Sequence, residues 1–138
     1  MGYCIEMTDS KFEIKKENFD LALSSLKNVF VPENMNCYDY IDGKECPHFS
    51  WVDTQSVLNS ESLGEALEAI RYRPKYNDNG DVCGIEFTGE KSGCEKIFFG
   101  VLAPYVETGS SIGFVGEDGI SWEWVFANGT VEQNYITE

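Results

Sequence analysis

Apolar and polar residues alternate through Tyr3–Met7 and again through Lys11–Lys15, the period of a half-buried strand. Thr8-Asp9-Ser10 between them are turn formers. The spacing predicts a β-hairpin over residues 3–15. The period then changes: Phe19, Ala22, Leu23, Leu26 and Phe30 recur at helical spacing before Pro32, which predicts a helix from Lys16 to Phe30. Residues 31–48 follow neither period and hold two prolines, a glycine and four acids, the pattern of an irregular surface loop.

Phe49–Val52 is a short strand-like segment. Leu63, Ala66, Leu67 and Ile70 then mark a second helix, and Ser62 and Glu65 have capping-box spacing at its start. Tyr72–Tyr76 and Val82–Gly89 flank Asn77-Asp78-Asn79-Gly80, whose Asn79-Gly80 pair takes the positive φ of a hairpin turn. Ser92 and Glu95 repeat the capping spacing ahead of a third helix carrying Ile97, Phe98, Val101, Leu102 and Tyr105, with Pro104 expected inside it and Gly100 easing the bend. The last third reads as three alternating strands separated by Gly116-Glu117-Asp118-Gly119 and Ala127-Asn128-Gly129, a meander. Its central strand places Trp122, Trp124 and Phe126 on one face and Glu123 on the other. The expectation is a single α+β domain over residues 1–138, a mainly antiparallel sheet of about six or seven strands with three helices packed on one face.

Charge changes the picture more than composition does. Asp plus Glu number 24 against 10 Lys plus Arg, a net charge of −14. Such a surface repels polyanions, so direct nucleic-acid binding is not expected. Residues 97–138 hold six acids and neither Lys nor Arg. Glu107, Glu117, Asp118, Glu123 and Glu132 in that segment are the candidate partner-binding residues, a carboxylate surface for a basic protein.

Motifs for chemistry are weak. Asn77, Asn79, Gly80 and Glu86 match part of a calcium loop, but Lys75 stands where its first carboxylate belongs. Cys37, Cys46 and His48 offer three zinc-type ligands without the close cysteine pair of a structural site. The Trp122/Trp124/Phe126 stripe suits a stacking platform for bases, yet such platforms add cations and none follows Lys96; a core face is the simpler reading. No catalytic motif, metal or cofactor is expected. Five cysteines at irregular spacing, with no apolar leader ahead of them, suggest reduced thiols in a cytoplasm. No apolar run is long enough to span a bilayer.

Several segments carry a resemblance: Tyr3–Asn18, Phe49–Thr54, Ile85–Lys91 and Gly116–Gly129. Together they resemble small proteins encoded by phages and prophages of Firmicutes, over most of the chain outside residues 31–48. The resemblance implies a genetic setting, with the host bacterial cytoplasm as location, and transfers no functional residue. By analogy with other small acidic phage proteins it implies an anti-defence inhibitor, not an enzyme. Its carboxylates would occupy a basic nucleic-acid-binding site, for example that of a defence nuclease. Two other roles stay open from the residues: a sponge for a signalling nucleotide, and a structural or regulatory phage protein. The oligomeric state is also open.

Overall fold

A computed structural model describes residues 3–31, 38–41, 44–47, 52–91 and 95–136, with backbone alone for 38–41 and 44–47. Its strands are β1 (Ile5–Lys11), β2 (Tyr38–Ile41), β3 (Lys44–Pro47), β4 (Tyr72–Tyr76), β5 (Val82–Phe87), β6 (Ser111–Gly116), β7 (Ser121–Ala127) and β8 (Thr130–Ile136). The helices are α1 (Phe19–Val29), α2 (Thr54–Leu58), α3 (Leu63–Ala69) and α4 (Glu95–Leu102). The class is α+β, as expected. In place of the one sheet of about six or seven strands expected, the described strands form three antiparallel sheets, β1-β6-β7-β8, β2-β3 and β4-β5, and the described residues hold four α-helices where three were expected.

The expected hairpin over residues 3–15 is not formed. β1 runs unbroken through Thr8-Asp9-Ser10, and a register shift between Met7 and Asp9 absorbs Thr8 as a bulge against β6. Two observations show why the chain keeps going. Ile5 and Phe12 are both buried, and Ile14 bridges Val82 and Val106, so the segment contributes apolar residues along its whole length and a turn would pull them out of the core. Turn-forming residues lost to tertiary burial.

The Pro104 expectation is corrected too. α4 stops at Leu102 and Ala103–Tyr105 forms a 3-10 turn, because Pro104 has no N–H to donate to the Gly100 carbonyl four residues back. A Cβ at Gly100 would meet no side chain or backbone beyond its own helix and chain neighbours within 4 Å, so packing there does not require a glycine. α2 went unseen because five residues with one buried side chain, Val57, are too short for a period. Its signal was the cap: Asp53 accepts from the backbone of Gln55 and Ser56 at 3.1 and 3.4 Å. Within the segment read as irregular, β2 and β3 pair antiparallel, with Ile41 opposite Lys44; the sequence between them, Asp42-Gly43, is a turn dipeptide. The Phe49–Trp51 part of the strand-like segment and the Ser92 cap lie outside the described residues.

Other local readings hold. Ser62 Oγ accepts from Glu65 N at 3.2 Å. The β4–β5 connection is an Asx turn in which Asn77 Oδ1 accepts from Asn79 N and Asp81 N, both at 3.0 Å, with Gly80 at φ +86°. That geometry uses the residues of the calcium-like pattern as a hairpin turn. Asn128 and Gly129, at φ +53° and +79°, make the two-residue β7–β8 turn.

β5 lies against β1 so that the two-stranded and four-stranded sheets meet edge to edge. Ile5 N donates to Glu90 O at 2.9 Å at one end, and Ile14 and Val82 exchange both backbone bonds at 3.0 Å at the other. Between those ends Ser10 Oγ accepts from Ile85 N at 3.1 Å. Aromatic rings join the helices to the inner face: Phe99 of α4 meets Trp124, Phe126 and Tyr72 edge-on or tilted, with centroids 5.4, 5.9 and 5.4 Å away. Phe30, at the end of α1, stacks on Phe98 at 5.6 Å. No helix among the described residues is long and apolar enough to cross a membrane.

Candidate functional site: the outer face of the sheet

Antiparallel partners share a face, so the register sorts side chains by face. Trp122, Trp124 and Phe126 are 7, 5 and 0 % exposed. They are core, with Phe114 and Phe99 as neighbours, and offer no stacking platform. The opposite face carries Ser111 and Val115 of β6, Ser121, Glu123, Val125 and Ala127 of β7, and the facing residues of β8, all exposed or half-exposed. No described element covers it.

The candidate acids divide into three groups. Glu123 stands opposite Asn134, and Val125 opposite Glu132, so Glu123 and Glu132 are diagonal neighbours on the open face. The register there does what the sequence left undecided. Neither side chain makes a hydrogen bond or ion pair with another described residue.

Glu117 and Asp118 are different. They sit in the β6–β7 turn, where Gly119 N donates to Gly116 O at 2.9 Å and Gly119 takes φ +86°. Glu117 Oε1 accepts from Cys4 N at 3.0 Å, and Glu117 N donates to Cys4 O at 2.9 Å. Asp118 accepts from the Tyr3 phenol and, at 3.2 Å, from Ile120 N. The phenol bond holds the Asp118 carboxyl below its usual range and pushes Tyr3 up to about 12. Both acids thus bind the start of the chain to a turn, a role that sequence separation conceals.

Glu107 lies at the other end of the sheet. Its N–H donates to Glu13 O at 2.8 Å, and Ser110 N donates to its carbonyl at 3.1 Å. Lys15, which bonds Glu13 Oε2 at 2.8 Å, also feels the Glu107 carboxylate. The segment without cations in sequence has cations beside it in space.

The N-terminal strand supplies acids that the sequence reading missed. Glu6 pairs with Val115 and Asp9 with Gly113, which puts both on the open face beside Glu123, and Lys11 joins them opposite Ser111. Their signal was in the alternation of residues 5–11, hidden by reading that stretch as a hairpin. Beyond β1 the open face runs into a groove of about 540 Å³ between β1 and β5, where Glu6, Asp9, Ser10, Glu86 and Phe87 face Lys75. Arg73 pairs with Glu86 at 3.3 Å on its far side. Chemically this is a carboxylate-rich surface with a cleft, suited to guanidinium and ammonium groups.

Cys4 and Cys83 are free thiols, and Lys91 donates to Cys4 Sγ at 2.9 Å. Cys37 and His48 lie outside the described residues, and only the backbone of Cys46 is described. No group of three His, Cys, Asp or Glu suited to a metal occurs among the described residues. No family model matches the chain, and comparison with curated proteins and with solved structures returns no significant match.

Proposed function

We propose that this chain is a binding protein whose open acidic sheet face docks on a basic, nucleic-acid-handling surface of a protein partner. The observation that carries the reading is the gathering of Glu6, Asp9, Glu123 and Glu132 from three strands onto one uncovered face, against Lys11 alone on the same strands. A twisted sheet holds such carboxylates at fixed spacing without the entropy cost of a loop. The β1–β5 groove then receives a basic side chain of the partner. The resemblance to phage and prophage proteins supplies the biological setting, in which the partner is a host defence nuclease or another protein with a phosphate-binding cleft. At a net charge of −14, encounter with a basic surface is accelerated and salt-sensitive.

The test uses charge reversal at residues that do no work inside the fold. A partner is captured from the bacterial host and purified, and its affinity is measured for the parent and for Glu6→Lys/Glu123→Lys/Glu132→Lys across a salt series. The triple variant is expected to melt like the parent, to lose partner binding by at least about a hundredfold, and to lose most of the salt dependence. Duplex DNA bound by the partner is expected to compete with the parent chain. Equal binding by the triple variant at equal ionic strength removes this face as the docking surface.

A further inference from the structure

β8 is hydrogen-bonded on one side only, with β7 as its sole sheet neighbour among the described residues. Its pairing with β7 runs from Thr130 to Ile136 without a register shift. Unpaired strand edges are usually blunted by proline, lysine, a bulge or a covering element. β8, Thr-Val-Glu-Gln-Asn-Tyr-Ile, has none of the first three. It also exposes Tyr135 and Ile136, at 64 and 50 %.

We infer that β8 pairs antiparallel with β8 of a second copy of this chain, about a two-fold axis through Gln133. The self-complementarity of the strand selects that occupant. With the axis at Gln133 all seven residues of β8 overlap, and the partners are Thr130 with Ile136, Val131 with Tyr135, and Glu132 with Asn134. The only charged side chain of the strand meets an amide. Val131 and Tyr135 lie on the inner face, opposite Phe126 and Trp122 of β7, so their cross-strand contact extends the aromatic core across the axis.

Neighbouring registers are worse for stated reasons. An axis at Glu132 sets two carboxylates directly opposite each other. An axis at Asn134 sets Glu132 against Ile136 and shortens the overlap. Shifts of a single residue put paired side chains on opposite faces. The sheets of the two copies then form one continuous sheet, and their open faces become one surface carrying both Glu123–Glu132 pairs. The interface is a single strand edge, small by the standard of permanent dimers. Association is therefore weak and concentration-dependent. Each copy carries −14, so added salt strengthens it.

The experiment is sedimentation velocity on the full chain from micromolar to near-millimolar concentration at two salt levels, with variants read on the same scale. The parent is expected to shift from monomer to dimer with concentration, more so at high salt. Asn134→Glu sets like charges opposite each other twice by symmetry and is expected to weaken the dimer about tenfold. The charge swap Glu132→Lys/Asn134→Glu restores opposite charges across the axis and is expected to recover dimerisation. Asn134→Glu faces Glu123 within its own copy in both variants, so recovery by the swap separates the contact across the axis from any loss of stability, which thermal melting checks independently. A parent that stays monomeric throughout, or a swap that fails to recover while both variants melt as folded proteins, overturns the inference.

Discussion

The phenol of Tyr3 donates to the carboxylate of Asp118, 115 residues further along the chain. The same tyrosine ring lies 6.3 Å from Trp122, near-parallel to it. Together with the two hydrogen bonds between Cys4 and Glu117, one backbone to backbone and one to the Glu117 carboxylate, this fixes the first described residues against the β6–β7 turn. Two acids that resemble solvated turn residues in the sequence act as an anchor.

The anchor is readable by titration. Loss of the carboxylate in Asp118→Asn is expected to lower the Tyr3 phenol from about 12 toward the ordinary value of about 10. Phenolate absorbance followed through alkaline pH, with Tyr3→Phe as the subtraction control, gives the shift. The sign is fixed by linkage. Tyr3 is raised on folding, so its contribution is complete below its unfolded value and disappears as pH rises through the folded one. Asp118 is lowered, so its contribution holds above its unfolded value and disappears as pH falls through the folded one.

Gly116 makes the anchor sterically possible. A Cβ at that position would overlap the Tyr3 phenol ring, so Gly116→Ala is expected to expel Tyr3. The variant should reproduce the lowered phenol titration of Asp118→Asn although its carboxylate is intact. A Tyr3 transition that stays near 12 in Gly116→Ala would contradict the packing described.

Trp124 packs edge-on to Phe99 with centroids 5.4 Å apart and is 5 % exposed. Trp124→Ala is expected to cost about 3–5 kcal/mol, the range for a large core aromatic, and Trp122→Ala a comparable amount. Chemical denaturation monitored by circular dichroism measures both. A Trp124→Ala protein that unfolds at the parent's midpoint would reopen the surface-platform role for this face.

Acid sensitivity is predicted at Asp81. Its carboxylate accepts from Lys16 N at 2.8 Å and from Asn77 Nδ2 at 3.4 Å, and Lys15 lies 3.9 Å away. The backbone bond from Lys16 is the main cause of its lowered pKa. A lowered carboxylate contributes stability above its unfolded value near 4, and that contribution disappears as pH falls through the folded one. Melting temperature against pH is expected to fall less steeply on the acid side in Asp81→Asn than in the parent. Coincident slopes would show that Asp81 carries no folding-linked proton.

Thiol titration of the unfolded chain without reductant is expected to find close to five free thiols, one for each cysteine. A count near one, or stoichiometric zinc by elemental analysis, would show that the cysteines are paired or metal-bound.

Local physics explains which elements were legible. The meander, the β4–β5 hairpin, α1 and α3 rest on signals contained within a few residues: alternation, a helical stripe, Asn79-Gly80, Asn128-Gly129 and the Ser62 cap. Burial of Trp122, Trp124 and Phe126 followed from alternation plus the absence of nearby cations. The path of residues 3–15 was not legible, because Thr8-Asp9-Ser10 favour a turn locally while Ile5, Phe12 and Ile14 are buried in one extended run, Ile14 and Ile5 held by pairing partners 68 to 111 residues away.

The candidate site divides along the same line. The sequence alone determined the acidity of the chain, the meander, and the placing of Glu123 opposite the tryptophans, since each depends on composition or on the two-residue period of a strand. Tertiary structure decided which acids are neighbours: cross-strand register put Glu132 beside Glu123 and brought Glu6 and Asp9 to the same face. It also engaged Glu117 and Asp118 with Cys4 and Tyr3, and set Lys15 near Glu107. A charge's neighbours are fixed by pairing between distant strands, and no local pattern encodes the register of strands that are far apart in the chain.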